Sequence, residues 1–181
     1  MKETQPHAMW TAPVLPAEVR LRPGTAEDGA ALAGFVADLS VRSAFYRFLS
    51  GLRYASPMLL ARMLRRDETH GSWLALCGQQ VVGHVMWSVD DGIVDLGVVV
   101  ADLWQGHGVG RRLVDTALAE AAVAGGCVLR VDVHGDNRVV TAMLRRALPA
   151  ARVTREAELL AFEAPLLAAV PAVEPQVLKV F

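Results

Sequence analysis

Residues 98–121 read VVVADLWQGHGVGRRLVDTALAEA, and the handover inside this stretch decides the fold. Val98, Val99 and Val100 close an apolar, β-branched run of strand character. From Gly108 onward the apolar residues recur at helical spacing, with Leu113, Val114 and Leu118 on one stripe. Between the two halves lies QGHGVG, with glycines at 106, 108 and 110, followed at once by Arg111 and Arg112. The first amides of a helix have no partner within it, and the helix dipole puts roughly half a positive charge there. Glycines let the backbone close on an anion, and two arginines add donors beside it. The stretch is built like a cradle for a diphosphate. No Lys-Ser/Thr pair follows the loop, and the glycines at 106, 108 and 110 miss the dinucleotide spacing, so neither familiar nucleotide loop is spelled here.

The flanking sequence supplies a sheet and its cover. VRLRP, after Glu18, alternates as a short strand; Thr25 with Asp28 forms a capping-box pattern that opens a helix to about Leu39. Residues 43–52 and 57–66 read as two short helices, Pro57 suiting a first turn. After Gly71 the period changes. SWLALC, QVVGHVMWSV and IVDLGVVV, parted by Gly78 and Asp90-Asp91-Gly92, make an antiparallel meander. The helix over residues 108–124 ends at Gly125-Gly126, as a C-cap does. CVLRVDVH is then a strand, residues 137–148 a helix, and ARVTREA with ELLAFEAP a last strand pair. Residues 1–17, with three prolines and no period, read as a flexible leader, residues 18–165 as one domain and residues 166–181 as a tail.

Composition narrows the partners. An apolar fraction of 53% against 20% charged residues is globular, and 18 basic against 19 acidic residues give a net charge of −1, which favours neither nucleic acid nor anionic membrane. Arg53, Arg62, Arg65 and Arg66 read as a solvated helical face. The opening MKETQPHAMW is polar and no apolar stretch approaches the ~20 residues of a spanning helix, so a soluble cytoplasmic protein is expected. Cys77 and Cys127 sit in strand-like segments and read as buried free thiols. No two histidines have helical metal-ligand spacing, and no metal is expected. His107 reads as a solvated loop residue, His84 as a strand histidine with its bonds satisfied, and His134 as undecided.

Gln105-x-x-Gly108-x-Gly110, set after an apolar strand ending in Ala101-Asp102-x-Trp104-Gln105 and followed one strand later by Asn137 at a helix start, resembles the acyl-CoA-binding motif of the GNAT superfamily of N-acetyltransferases. The resemblance covers about residues 18–165. Within that superfamily, residues 39–64, LSVRSAFYRFLSGLRYASPMLLARML, resemble the Pat-type protein-lysine acetyltransferases. The resemblance implies an α/β (α+β) GNAT fold: a mixed, mostly antiparallel seven-stranded sheet, splayed between strands 4 and 5 and flanked by about four helices. It implies acetyl-CoA as cosubstrate and an amine as acceptor, a protein lysine or a small molecule, with a homodimer left open. The backbone of Val98, Val99 and Val100 would pair with the pantetheine arm. Gln105, Gly106, His107, Gly108, Val109, Gly110 and Arg111 would hold the diphosphate, and Asn137 would contact the arm.

The chemistry needs an uncharged amine. A lysine-like group with a pKa of ~10.4 gives up its proton at pH 7 at a cost of about 4.6 kcal/mol, so a carboxylate that takes the proton is worth having. Asp95 stands where the resemblance puts a base on the strand before the loop, and Asp132 where other GNATs put one on the next strand; Asp95 is favoured. Each is one methylene shorter than glutamate, which favours a bridging water. The tyrosine that commonly protonates the leaving thiolate is replaced by Leu144. Phe45 and Tyr46 read equally as acceptor wall or core packing. These departures keep a second possibility open, a domain that senses acyl-CoA without transferring it.

Overall fold

The computed structural model describes residues 19–166. The expected leader and all of the expected tail beyond Leu166 lie outside the described residues. Seven strands form one sheet in the order β1-β2-β3-β4-β5-β7-β6. They are β1 (Val19–Pro23), β2 (His70–Cys77), β3 (Gln80–Asp90), β4 (Ile93–Val100), β5 (Val128–His134), β6 (Arg152–Glu156) and β7 (Leu159–Pro165). Every neighbouring pair is antiparallel except β4 with β5. Among the described residues five α-helices flank the sheet, where about four were expected: α1 (Gly29–Ala37), α2 (Val41–Phe48), α3 (Pro57–Met63), α4 (Val109–Val123) and α5 (Arg138–Ala147).

Local chemistry sets most boundaries. Asp91 and Gly92, at φ 47° and 75°, form the two-residue turn joining β3 to β4; positive φ at both positions is the primed turn that matches strand twist. Ser40 accepts from the Ser43 amide and caps α2, which moves its start two residues upstream of the expected one. Leu49, left-handed at φ 51°, ends that helix early. The Thr25–Asp28 box forms, but its first turn is a 3-10 turn at Ala26–Asp28, and α1 follows it. Asp28 takes the Thr25 amide at 2.8 Å and also pairs with Arg22 of β1, tying the helix start to the sheet edge.

The two faces of the sheet bury separate cores. Leu113, Ala117, Leu118 and Ala121 of α4 pack with Val82, Val85, Val94, Val100 and Leu129, joined at the rim by Leu144 and Leu148 of the α5 region. On the other face α1 and α3 pack Leu32, Phe35, Val36 and Met63 over Leu74, Leu76, Val81 and Val99. Alternation along the strands enforces this division, since successive side chains point to opposite faces. Glu120 of α4 accepts from the indole nitrogens of Trp73 at 2.8 Å and Trp87 at 3.1 Å and pairs with Arg66 at 2.8 Å. Those hydrogen bonds from Arg66, Trp73 and Trp87 outweigh the burial that would raise its pKa, and hold it below the ordinary value. Gly71 gives up its side chain to this cluster, for a Cβ there would strike the Trp87 ring.

Two expectations need correction. The cysteines form no disulfide, but neither is buried: Cys77 is half-exposed, and Cys127 stands exposed just ahead of β5, its thiol donating to the Gly125 carbonyl. Arg65 and Arg66 are not on a helical face; they follow α3 and are ion-paired to Asp67 and Glu120.

Candidate active site

The 3-10 turn Asp102–Trp104 leads from β4 into the glycine loop. Gly106 and Gly108 take φ of 77° and 81°, a region L side chains avoid, and Gly108 is the N-cap of α4. The first backbone bond of α4 runs from the Arg112 amide to the Gly108 carbonyl at 3.1 Å. The amides of Val109 and Gly110 therefore precede the helix ladder and have no partner within it. Gly110 packs tightly on β4, since a Cβ there would meet Val100 at 3.4 Å. His107 is exposed, with Nδ1 against its neighbour's carbonyl, that of Gln105, at 2.8 Å. Arg111 pairs with Asp115 one turn along α4 at 2.7 Å. These features fit a diphosphate: open amides, a positive helix end, and a loop free of side chains where the anion would approach.

Beside the loop the sheet parts. β4 pairs with β5 only from Ile93 to Asp95, against Val128 to Arg130. Beyond Asp95 the two parallel strands diverge, and the stretch with Val98, Val99 and Val100 pairs with β3 alone among the described strands. The splay leaves the end of β4 without a neighbour on that side, a slot ending at the α4 mouth into which an extended arm can lay its own amides. The face opposite α4 carries the ionisable groups. Asp95 is in register with Arg130, so Asp95, Gly97 and Val99 of β4 share that face with Arg130, Asp132 and His134 of β5. α2 lies across it: Phe45 meets the His134 ring edge-on at 5.2 Å, and the Tyr46 hydroxyl donates to the Asp136 carbonyl at 3.4 Å.

Both sequence-proposed carboxylates therefore face the slot, in different states. Burial pushes Asp95 above the ordinary carboxylate value; Arg130 opposes this, and Asp132 and Asp90 reinforce it. Asp132 is 42% exposed at its side chain, and its nearest counter-ion is Arg130 at 3.8 Å. A carboxyl raised by its surroundings in a cleft is the better proton acceptor near neutral pH.

Several of the loop's side chains brace it. Gln105 donates to the Val100 carbonyl at 3.0 Å and to Ser43 at 3.2 Å, holding the end of β4 to α2. Asp102 accepts from the Ser40 amide and from the hydroxyls of Ser40 and Ser43. Burial works to raise Asp102, and these bonds outweigh it and hold the group below its ordinary value. The pair ties the cradle to the helix that roofs the other face. Asn137 caps α5, its Oδ1 accepting from Val140 at 3.3 Å, in the segment that follows β5.

Two further groups on this face are His84, expected as a strand histidine with its bonds satisfied, and Arg47, which the sequence reading did not single out. His84 is wholly buried under α3; its Nε2 lies 3.0 Å from the Met63 carbonyl, while Nδ1 has no partner. Burial first, then the charge of Arg47, lowers its pKa to about 3 against the Met63 bond, so it is neutral at pH 7. It belongs to the core, only partly satisfied. Arg47 of α2 lays its guanidinium on Gly97, where a Cβ would meet all three outer guanidinium atoms at 2.7–2.8 Å. Burial, and then Arg62, lowers its pKa to about 10, so it keeps its charge. A glycine two residues after Asp95 is the sequence signal that could have exposed this contact. Among the described residues no helix is long and apolar enough to cross a membrane, and no cluster of three ligating side chains is placed to hold a metal.

With that geometry in view, the comparisons agree. The sequence profile of the Acetyltransferase (GNAT) family matches residues 29–148. The GNAT domain of S. lividans PAT superposes with a TM-score of 0.73 at 21% identity, covering 81% of this chain and 90% of that one. PaiA N-acetyltransferase from Thermoplasma acidophilum, solved with coenzyme A, gives 0.65 at 15% identity over 81% and 98%. YncA from Salmonella typhimurium, solved with acetyl-CoA, gives 0.65 at 18% over 82% and 94%. None of the curated proteins matches the sequence. At these identities the superpositions speak for the fold, and the profile, spanning most of the chain, speaks for descent: the chain belongs to the GNAT acetyltransferase family.

Proposed function

We propose that the chain transfers the acetyl group of acetyl-CoA to an amine by direct attack in a ternary complex, with Asp95 accepting the amine's proton. The observation that carries this is the slot between β4 and β5, which runs from the mouth of α4 to a face bearing a carboxyl of raised pKa. The diphosphate is assigned to the amides of residues 108–111, with Gln105, Gly106 and His107 shaping the approach, and the pantetheine arm to the backbone of Val98, Val99 and Val100. Asn137 is assigned the far end of the arm.

The amine nitrogen attacks the thioester carbonyl carbon, the carbon–sulfur bond breaks, and the thiolate leaves with the electron pair. The ammonium proton passes to Asp95, through a water given the short side chain. Asp132 is the reserve base. A thiol pKa of about 8.5 makes the thiolate a fair leaving group near neutral pH, so Leu144 in place of a tyrosine does not bar the reaction.

The acceptor we propose is a protein lysine side chain. It rests on the likeness of residues 39–64 to Pat-type enzymes and on the exposed rim beside α2, where Val41, Tyr54 and Met58 are 73%, 77% and 82% exposed and offer apolar area to a protein surface. Incubation with radiolabelled acetyl-CoA and a cell lysate tests it. Label in proteins, lost with Asp95→Asn, is the expected result; label confined to small amines overturns the lysine assignment. Tight acetyl-CoA binding with no thiol release from any acceptor would mark a sensing domain and refute the transferase reading.

A further inference from the structure

Arg47 is a charge without a counter-charge. Its Nε is sealed from solvent with no hydrogen-bond partner. No carboxylate or carbonyl of the described residues bonds its terminal nitrogens, and its ring contact is the face of Phe48, 5.3 Å away. The charged or titratable groups that bear on it are Arg62, a like charge, and the neutral His84. A half-buried guanidinium normally finds a carboxylate, because an unpaired charge out of water is costly. The nearby carboxyls are engaged elsewhere: Asp102 holds Ser40 and Ser43, and Asp132 faces Arg130.

Its position makes the vacancy informative. The guanidinium lies flat on Gly97, on the face shared by Asp95, and Gly97 is two residues along β4 from Asp95. Two strand residues span about 7 Å. An amine at Asp95 and an anion at Arg47 would therefore be held close together, whether one small molecule or two neighbouring side chains of a peptide carry them. The diphosphate of the cosubstrate is assigned to the far end of the slot, and its arm is uncharged.

We propose that Arg47 is a specificity-determining residue of the acceptor site, receiving a carboxylate carried beside the amine that is acetylated. This rests on the acetyl-transfer reading and deepens it. The carboxylate comes from one of two sources: the acceptor's own, as in a free amino acid, or an acidic side chain next to a target lysine. Paired donors of a planar guanidinium suit either.

The test compares matched acceptors by release of free thiol from acetyl-CoA. One arm sets free amino acids against their carboxamides; the other sets lysine peptides flanked by glutamate against those flanked by glutamine. In at least one arm the carboxylate form is expected to exceed its amide in kcat/KM by about 100-fold or more, because a site built around a buried charge rejects a ligand that leaves it unpaired. Arg47→Gln should shrink that ratio to within about threefold with the affinity for acetyl-CoA unchanged, and Arg47→Lys should keep part of it. Gly97→Ala, which pushes the guanidinium off β4, should reduce the ratio in the same way and serves if Arg47→Gln does not fold. Equal use of acid and amide in both arms, or equal loss of both in the variants, overturns the proposal. Thermal stabilisation by the same acids and amides without acetyl-CoA reads the anion site alone, so a failure of acetyl transfer and a failure of Arg47 are told apart.

Discussion

Replacing Asp95 by asparagine keeps the shape of the β4 face and removes its proton acceptor. No described group donates a hydrogen bond to Asp95, and burial raises its pKa above the ordinary value against the pull of Arg130. A carboxyl raised in the folded state stabilises the fold fully below its ordinary value, and that contribution is lost as pH rises through the folded value. At pH 7 the ionised form is therefore no asset to stability, and the melting temperature of Asp95→Asn should equal or exceed that of the wild type. Activity should move the other way. A positioned base contributes about 100- to 10,000-fold, so kcat/KM for a saturating acetyl-CoA assay should fall by that factor at pH 7. The pH profile carries the mechanism. Without the base, the reaction draws on amine already deprotonated in solution, a fraction that grows tenfold per pH unit below a pKa of ~10.4. The log rate of the variant should thus climb with unit slope from pH 7 to 9 while the wild type flattens above the Asp95 titration. A variant within threefold of the wild type at pH 7, paired with a large loss in Asp132→Asn, would refute the assignment of the base.

Three further outcomes follow from the geometry. Glu120→Ala leaves two indoles and Arg66 without their acceptor, at about 2–4 kcal/mol, and should lower the melting temperature by about 5–15 °C with acetyl-CoA affinity unchanged; a shift under about 2 °C would show the cluster to be unimportant. Gly108→Ala forces a side chain to φ 81° at about 1–2 kcal/mol and should weaken coenzyme A binding by calorimetry, whereas Gly78→Ala, at φ 58° in the β2–β3 turn, should cost similar stability and leave binding alone. Arg22 hydrogen-bonds Asp28 and holds its carboxyl far below the ordinary value, so this pair stabilises the fold above about pH 4 and loses that effect as pH falls. Arg22→Gln should accordingly flatten the acid limb of the stability curve, and an unchanged limb would place the acid sensitivity elsewhere.

The sequence by itself determined the order of elements. The change of period at Gly71 marked the sheet, and the glycines at 106, 108 and 110 marked the strand-to-helix mouth, because these signals are local and obey fixed periods. Through the resemblance to GNAT proteins it also singled out Asp95 and Asp132 as candidate bases. Local reading failed where a partner far along the chain intervened. Ser40 caps α2 and is itself held by Asp102, 62 residues away, so the helix starts earlier than its own periodicity says. The physical reason to favour Asp95 came only with the tertiary structure, since its burial and the approach of Arg130 depend on how far β5 runs beside β4 before the strands part. It alone found Arg47: a charged residue on an amphipathic helix looks solvated in sequence, until the sheet face that receives it proves to carry a glycine and no carboxylate in reach.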